Sequence, residues 1–391
     1  MTKTRIGVAI FGAVMLIYAV VRLIVPPILE QNMNQIDHAQ SLEISQPSLT
    51  FHNTLFVGDW HADSTLWDRD LAKLSDFGHV DIPRLQQGNV ALQMFTTVTK
   101  SPDGLNYEQN SVDAPDNITK LALVQGWPLA SLTSLTQRAL YQASKLHTIA
   151  KKYPQQFMLI RSQTELSDFL TKRQSNPTLV GGLIGAEGAH ALDGKLENID
   201  VLYQAGFRMI GLQHFFDNQL GGSLHGISRA GLTEFGRKAL SIMQSKGMII
   251  DLSHSSQQTV LDVLEVSKAP LVISHTGFNG HCPNQRNIDD SLMKAIADNG
   301  GMIAVGYWVD AACGIQPDDI ADAIIYGINL VGEDHVALGS DYDGTVIVSF
   351  ATNRIALITQ ALQRKSVPDA VIAKVMGANM LRFLQHNLPS D

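Results

Sequence analysis

Short apolar runs alternate with longer amphipathic stretches along most of this chain. Leu55 to Val57, Val90 to Phe95, Gly181 to Gly185, Met209 to Leu212, Met248 to Leu252, Leu271 to Ser274, Gly301 to Val305 and Val336 to Gly339 read as strands. Between several of them, Ala130 to Lys151, Leu196 to Ala205, Thr233 to Lys246, Gln257 to Ser267, Asp290 to Asn299 and Asp318 to Val331 carry apolar residues at three- and four-residue steps, which predicts helices. Parallel neighbours need a crossover, so strands alternating with helices predict a mostly parallel sheet covered by helices. About eight strands point to an α/β fold, a closed (β/α)8 TIM-like barrel. The open doubly wound alternative lacks its glycine-rich phosphate loop after the first strand.

The N-terminus departs from this pattern. Behind Lys3 and Arg5, residues Ile6 to Val21 are apolar without interruption, and Leu23 to Leu29 continue the run past Arg22. About 20 mainly apolar residues suffice to cross a hydrocarbon core, provided Arg22 extends its head to the interface. Pro26-Pro27 stands where a cleaved signal would carry small residues. The expectation is an N-terminal transmembrane helix over 1–29, a single-pass membrane anchor with its N-terminus cytoplasmic and the body periplasmic or extracellular. A cleaved or interfacial segment is the alternative. Residues 30–50 are polar and aperiodic and read as a tether, leaving 51–388 as the barrel. Ser101 to Asn117, the one long stretch without a pattern, is expected to border a site.

Composition adds exclusions. The 391 residues are 45% hydrophobic and 17% charged with a formal net charge of −8, an ordinary globular balance without the basic footprint that nucleic acid demands. Two cysteines, Cys282 and Cys313, exclude a disulfide framework and any thiolate zinc site. They are expected as separate buried side chains, with pairing in an oxidising compartment as the alternative.

The candidate chemistry lies at strand ends. Of 13 histidines, His61, His214, His254 and His275 each follow a predicted strand, the end at which a barrel builds its active site. His61 and Asp63, two residues apart in extended chain, point the same way. Glu187 ends the Gly181 run among small residues, where a buried carboxylate needs a cation or several donors. Alone, each has a plainer reading: an exposed loop triplet, a helix cap, a core histidine. Two strands that both end in Ser-His are harder to assign to chance. Together, three imidazoles and two carboxylates suit two zinc-like cations bridged by one carboxylate, with a hydroxide between them as nucleophile. His214 is placed to stabilise an oxyanion, Asp341 to shuttle a proton, and Arg286 to clamp a carboxylate, although a lone arginine is usually a surface residue.

These residues sit in motifs that resemble the membrane dipeptidase (renal dipeptidase) family of the amidohydrolase superfamily. The carriers are Asp59-Trp-His-Ala-Asp63, His79-Val-Asp-Ile-Pro-Arg-Leu85, Ala186-Glu-Gly-Ala-His190, Gly231-Leu-Thr-Glu-Phe-Gly-Arg237, Asp251-Leu-Ser-His254, Ser274-His275, Gln285-Arg-Asn287, Gly339-Ser-Asp-Tyr-Asp-Gly344 and Gly377-Ala-Asn-Met-Leu-Arg382. The resemblance implies two Zn2+, with His61 and Asp63 on one, His254 and His275 on the other, and Glu187 bridging. It places His214 on the substrate carbonyl, Arg286 on the C-terminal carboxylate, and Asp341 near the amine and the bridging water. The implied substrate is a dipeptide, with a D-residue tolerated at its C-terminal position; a second copy of the chain is a candidate partner. Trp60, in place of a small residue, and Ala189, in place of a glycine, depart from the pattern and bear on side-chain preference. A related metallohydrolase acting on a lactone, β-lactam or other amide is the second reading, and a non-catalytic membrane-tethered binding protein the third.

Overall fold

The computed structural model describes residues 3–37 and 43–390. Nine parallel strands form: β1 (Val57–Ala62), β2 (Val90–Val98), β3 (Phe157–Leu159), β4 (Val180–Glu187), β5 (Phe207–Gly211), β6 (Ile249–Asp251), β7 (Val272–Thr276), β8 (Met302–Val305) and β9 (Val336–Leu338). Their order is β2-β1-β9-β8-β7-β6-β5-β4, and β2 pairs with β4 from Leu92↔Gly181 to Val98↔Glu187, so eight strands close into a barrel. The expected eight strands are these.

The ninth, β3, escaped the sequence pattern. It has three residues and lies beside the first residues of β4, Phe157 opposite Val180. Its phenylalanine occupies space that a side chain on β4 would need, since a Cβ at Gly182 would fall 2.2 Å from the Phe157 ring.

The barrel is filled from within by Leu92, Met94, Leu183, Met209, Val272 and Met302, which form one buried cluster with Met380 and Phe383 of the C-terminal helix Asn379–Asn387. Trp60 joins this packing, its ring edge-on to Phe383 at 5.4 Å. The crossover helices are amphipathic, as expected. Leu135–Lys152, for example, buries Ala139, Ala143, Leu146 and Ile149 and is capped by the Ser134 hydroxyl, which accepts from the Gln137 N–H.

Helix α1 (Lys3–Met33) contains the apolar N-terminal run and is long and apolar enough to cross a membrane, with almost none of that run buried. It does not end where the apolar residues do. Its last turns enter the body, burying Glu30, and Asn34 just beyond is buried too. The stretch read as a tether is therefore partly ordered: α1 covers its first residues, Ile36 bridges to Val348, and α2 (Gln46–His52) packs near its end. Ser45 caps α2 through its hydroxyl. Residues 38–42 of that stretch lie outside the described residues. Helix α3 spans Ile82–Gln87, and α4, Asn117–Val124, follows the stretch expected to border a site.

Cys282 and Cys313 are joined in a disulfide, contrary to the expectation of separate thiols. The reason is topological. One follows β7 and the other β8, and neighbouring strands bring their following loops together, Cα to Cα 5.4 Å.

Candidate metal centre

The strand ends deliver the site. His61 lies near the end of β1 with Asp63 just beyond the strand, Glu187 is the last residue of β4, His275 lies in β7, and His254 and His214 follow β6 and β5. All six are buried. They converge on one carboxylate. Glu187 Oε1 lies 3.4 Å from His61 Nε2, 3.3 Å from His254 Nε2 and 3.4 Å from His275 Nε2, while Oε2 lies 3.3 Å from His214 Nε2. Asp63 Oδ1 and Asp341 Oδ1 stand 3.5 and 4.0 Å from His61 Nε2.

These atoms form three overlapping cradles of cation size: His61, Asp63 and Glu187; Glu187, His254 and His275; and His61, His275 and Asp341. The donor set fits divalent cations for two reasons. The Nε2 atoms of His254 and His275 face each other at 2.9 Å, so at most one proton can satisfy both lone pairs. His61 Nε2 is buried with no hydrogen-bond partner. Imidazole and carboxylate donors in such sets are those zinc prefers.

An outer layer holds the rings. Asp251 accepts from the hydroxyls of Ser253 and Ser274 at 2.8 and 2.7 Å, and Ser274 Oγ lies 2.9 Å from His61 Nδ1 and 3.0 Å from His275 Nδ1. Thr96 donates to Asp63 Oδ1 at 2.6 Å. Such partners orient metal-binding rings and fix their tautomers. The reading of the strand ends did not assign Asp251 a role; its place two residues before Ser253 and three before His254 was the available signal.

Burial and mutual charge set the protonation states. Burial alone would raise the Glu187 carboxyl, but the rings of His214, His254 and His61 outweigh it and hold the group well below the usual carboxylate range. Burial, reinforced by the Arg286 charge, keeps His254 well below the ordinary histidine value, and burial with the neighbouring His61 does the same for His275. Those two neutral imidazoles keep their lone pairs for a cation, whereas at His61 burial is outweighed by the carboxylates of Asp63 and Glu187, which hold its ring well above the ordinary value. Burial drives Asp341 well above the carboxylate range, and Asp63 and Glu187 reinforce the shift against His61 and Arg286.

Backbone geometry at these positions is unusual. His254 and Asp341 adopt positive φ, +62° and +59°, as do Asp343 and Thr345, a conformation that costs non-glycine residues energy and gathers at functional sites. Between them Gly344 must lack a side chain: a Cβ there would lie 2.3 Å from Asp341 Oδ1 and 2.9 Å from Asp63 Oδ2.

The cradle opens into a cavity of about 470 Å³ lined by Asp63, Glu187, His214, His254, Arg286 and Asp341 among others. Arg286 is 1% exposed, and its guanidinium lies 5.2 Å from the Trp308 ring and donates to the His275 carbonyl at 3.1 Å. Nη1 has no partner, and among the described residues no carboxylate lies within ion-pairing distance of it. The disulfide ties together the two loops that supply Arg286 and Trp308. Tyr107 and Leu105, from the stretch expected to border a site, line the same cavity, whereas Trp60 does not.

Asp343 organises the loop that carries Asp341. Its carboxylate accepts from Ser64 Oγ at 2.6 Å, from the His79 N–H at 2.6 Å and from the Arg69 guanidinium, while its own N–H donates to His79 Nδ1 at 3.0 Å. That last bond requires a neutral ring, and burial pulls His79 down to about 4. The folded value lies below the unfolded one of ~6.5, so the unfolded chain binds the extra proton between these limits. Stability from His79 is complete above pH 6.5 and is lost as pH falls toward 4, by on the order of 3 kcal/mol. The thermal midpoint is expected to drop across this window, and His79→Gln to shallow the slope. An unchanged slope in the variant would refute the assignment.

The model of the membrane dipeptidase family, peptidase family M19, matches residues 36–388. An uncharacterized dipeptidase of Schizosaccharomyces pombe is 27% identical over 317 residues, covering 78% of this chain and 71% of that protein. Dipeptidase aclJ of Aspergillus oryzae is 27% identical over 357 residues, 83% of this chain and 76% of its own. Among solved structures, dipeptidase AC superposes with a TM-score of 0.71 at 23% identity, over 86% of this chain and all (100%) of that one. A Rhodobacter sphaeroides metallopeptidase, solved with a phosphinate mimic of the dipeptide L-Ala-D-Ala, gives 0.69 at 21%, over 85% and 99%. At those identities the structural likeness speaks for the fold, a barrel shared end to end. The family match, spanning nearly the whole body and every residue of the cradle, shows that the chain belongs to the membrane dipeptidase family and is a metallodipeptidase.

Proposed function

We propose that the protein is a zinc dipeptidase, anchored in a membrane through α1, in which His61 and Asp63 hold one ion, His254 and His275 the other, and Glu187 both. Bound there, the ions would polarise the scissile carbonyl and acidify water. The chain's own groups do the rest. Arg286 pairs with the substrate's C-terminal carboxylate through two parallel N–H bonds, which sets the register of the peptide across the cradle. The Lys100 carbonyl, 3.0 Å from His214 Nδ1, orients that ring so that Nε2 faces Glu187 and the place where the oxyanion develops. Asp341 takes the proton of the attacking water and passes it to the leaving amine. A D-residue at the C-terminal position is accommodated because Arg286 reads the carboxylate and not the side chain.

The observation that carries this reading is Arg286 itself: a buried cation with a free Nη1 at the edge of a metal cradle calls for an anion one residue past the cut. Arg286→Ala is expected to raise KM for dipeptides about 10- to 100-fold, the worth of a charged hydrogen bond. A neutral ester analogue should be little affected. Equal loss on both substrates would remove the clamp role.

A further inference from the structure

The cavity has a wall that the metal chemistry does not explain. Beyond the cradle its lining is mostly apolar, with Leu29 and Met33 of α1, Ile118, Leu121 and Val124 of α4, and Val346 beside the polar Asn117 and Lys120 of α4. Leu29 and Met33 are four residues apart and so share one face of the helix. The helix is fixed against both neighbours. The Tyr18 hydroxyl donates to the Leu123 carbonyl of α4 at 3.0 Å. The Glu30 carboxylate is bonded to Arg69, and Arg69 to Asp343. The Thr345 N–H donates to Asn34 Oδ1 at 2.9 Å, and the Val348 N–H to the Gln35 carbonyl at 3.1 Å. The helix and the loop of Asp341 therefore form one unit.

This proposal rests on the dipeptidase reading above. With the C-terminal carboxylate on Arg286 and the amine at Asp341, the N-terminal residue of the substrate is the part turned toward α1 and α4. We propose that Leu29 and Met33 determine specificity: with α4 they form a subsite for a large apolar side chain on the substrate's N-terminal residue. No polar atom of that side chain would find a partner among the six apolar side chains, whereas each methylene buried there strengthens binding about fourfold. A helix that looks like an anchor alone thus supplies a wall of the active site.

The test uses the full-length, metal-loaded protein in lipid nanodiscs. The ratio of kcat/KM for Leu-Ala and Phe-Ala to that for Gly-Ala is expected to exceed tenfold in the wild type. In Leu29→Ser/Met33→Ser the ratio should fall at least tenfold, and Met33→Leu should retain it. Met33 is 43% exposed at the rim, so its replacement spares the core, and Met33→Ser alone should lower the ratio in the same direction. A ratio identical in wild type and variants, with hydrolysis intact, overturns the subsite alone. Hydrolysis of none of the three dipeptides by the loaded wild type removes the dipeptidase reading and the subsite with it.

Discussion

Glu187→Ala is expected to leave a folded protein that neither hydrolyses dipeptides nor retains its metal. Three ring nitrogens lie within 3.3 to 3.4 Å of Glu187 Oε1 and a fourth lies 3.3 Å from Oε2, so this carboxylate is the anionic centre of the whole cluster. Its removal leaves buried imidazoles with no shared counter-charge, and two cations in its place would repel each other unscreened. Metal polarisation supplies several kcal/mol of transition-state stabilisation, so losing it lowers kcat/KM by about 1,000-fold or more. Metal analysis after dialysis, alongside kinetics, checks the result. Near-stoichiometric metal with full activity would show that the cradle is built elsewhere. Glu187→Gln keeps the shape and loses the charge, and is expected to fail almost as completely, which separates electrostatics from packing.

The second large effect is Asp341→Asn. The amide preserves volume and the tight fit against Gly344 but cannot carry the proton. A positioned acid–base group contributes about 100- to 10,000-fold, so kcat should fall by that range, and KM should rise as well because Asp341 also faces the substrate's amine. Asp341 Oδ1 is 4.0 Å from His61 Nε2 and belongs to one of the three cradles, so metal content is the discriminating readout. Content that stays near wild type while kcat collapses identifies a proton carrier. Content that falls in step with activity identifies a ligand instead.

The barrel was legible because its inner strands are short apolar runs, several of which end in a polar residue. Met248 to Leu252 stops at Ser253-His254, and Leu271 to Ile273 at Ser274-His275, so pattern and chemistry changed at the same point. All eight singled-out residues stand around the one cradle and its cavity. What the pattern could not carry was pairing between distant parts. Nothing along the chain indicates that four rings meet Glu187 through two different oxygens, or that Asp251 steadies two histidines through one serine. The disulfide was hidden for the same reason, since Cys282 and Cys313 become neighbours only when β7 and β8 do. Residues 30–37 were misread as tether because their anchoring groups, Glu30 and Asn34, are polar. Their contribution is to Arg69 and Thr345, which an apolar periodicity does not register.

The course of α1 has a practical consequence for anyone who would detach the enzyme. A membrane segment is ordinarily an exchangeable part, replaceable by any hydrophobic span of similar length or removed to give a soluble catalyst. Here exchange is safe only upstream of Tyr18, whose hydroxyl ties the helix to α4. A version trimmed at the end of the helix would begin inside the cavity that holds the cradle, without Leu29 and Met33 and without the Glu30 brace on Arg69. Its altered selectivity would then be mistaken for a property of the barrel.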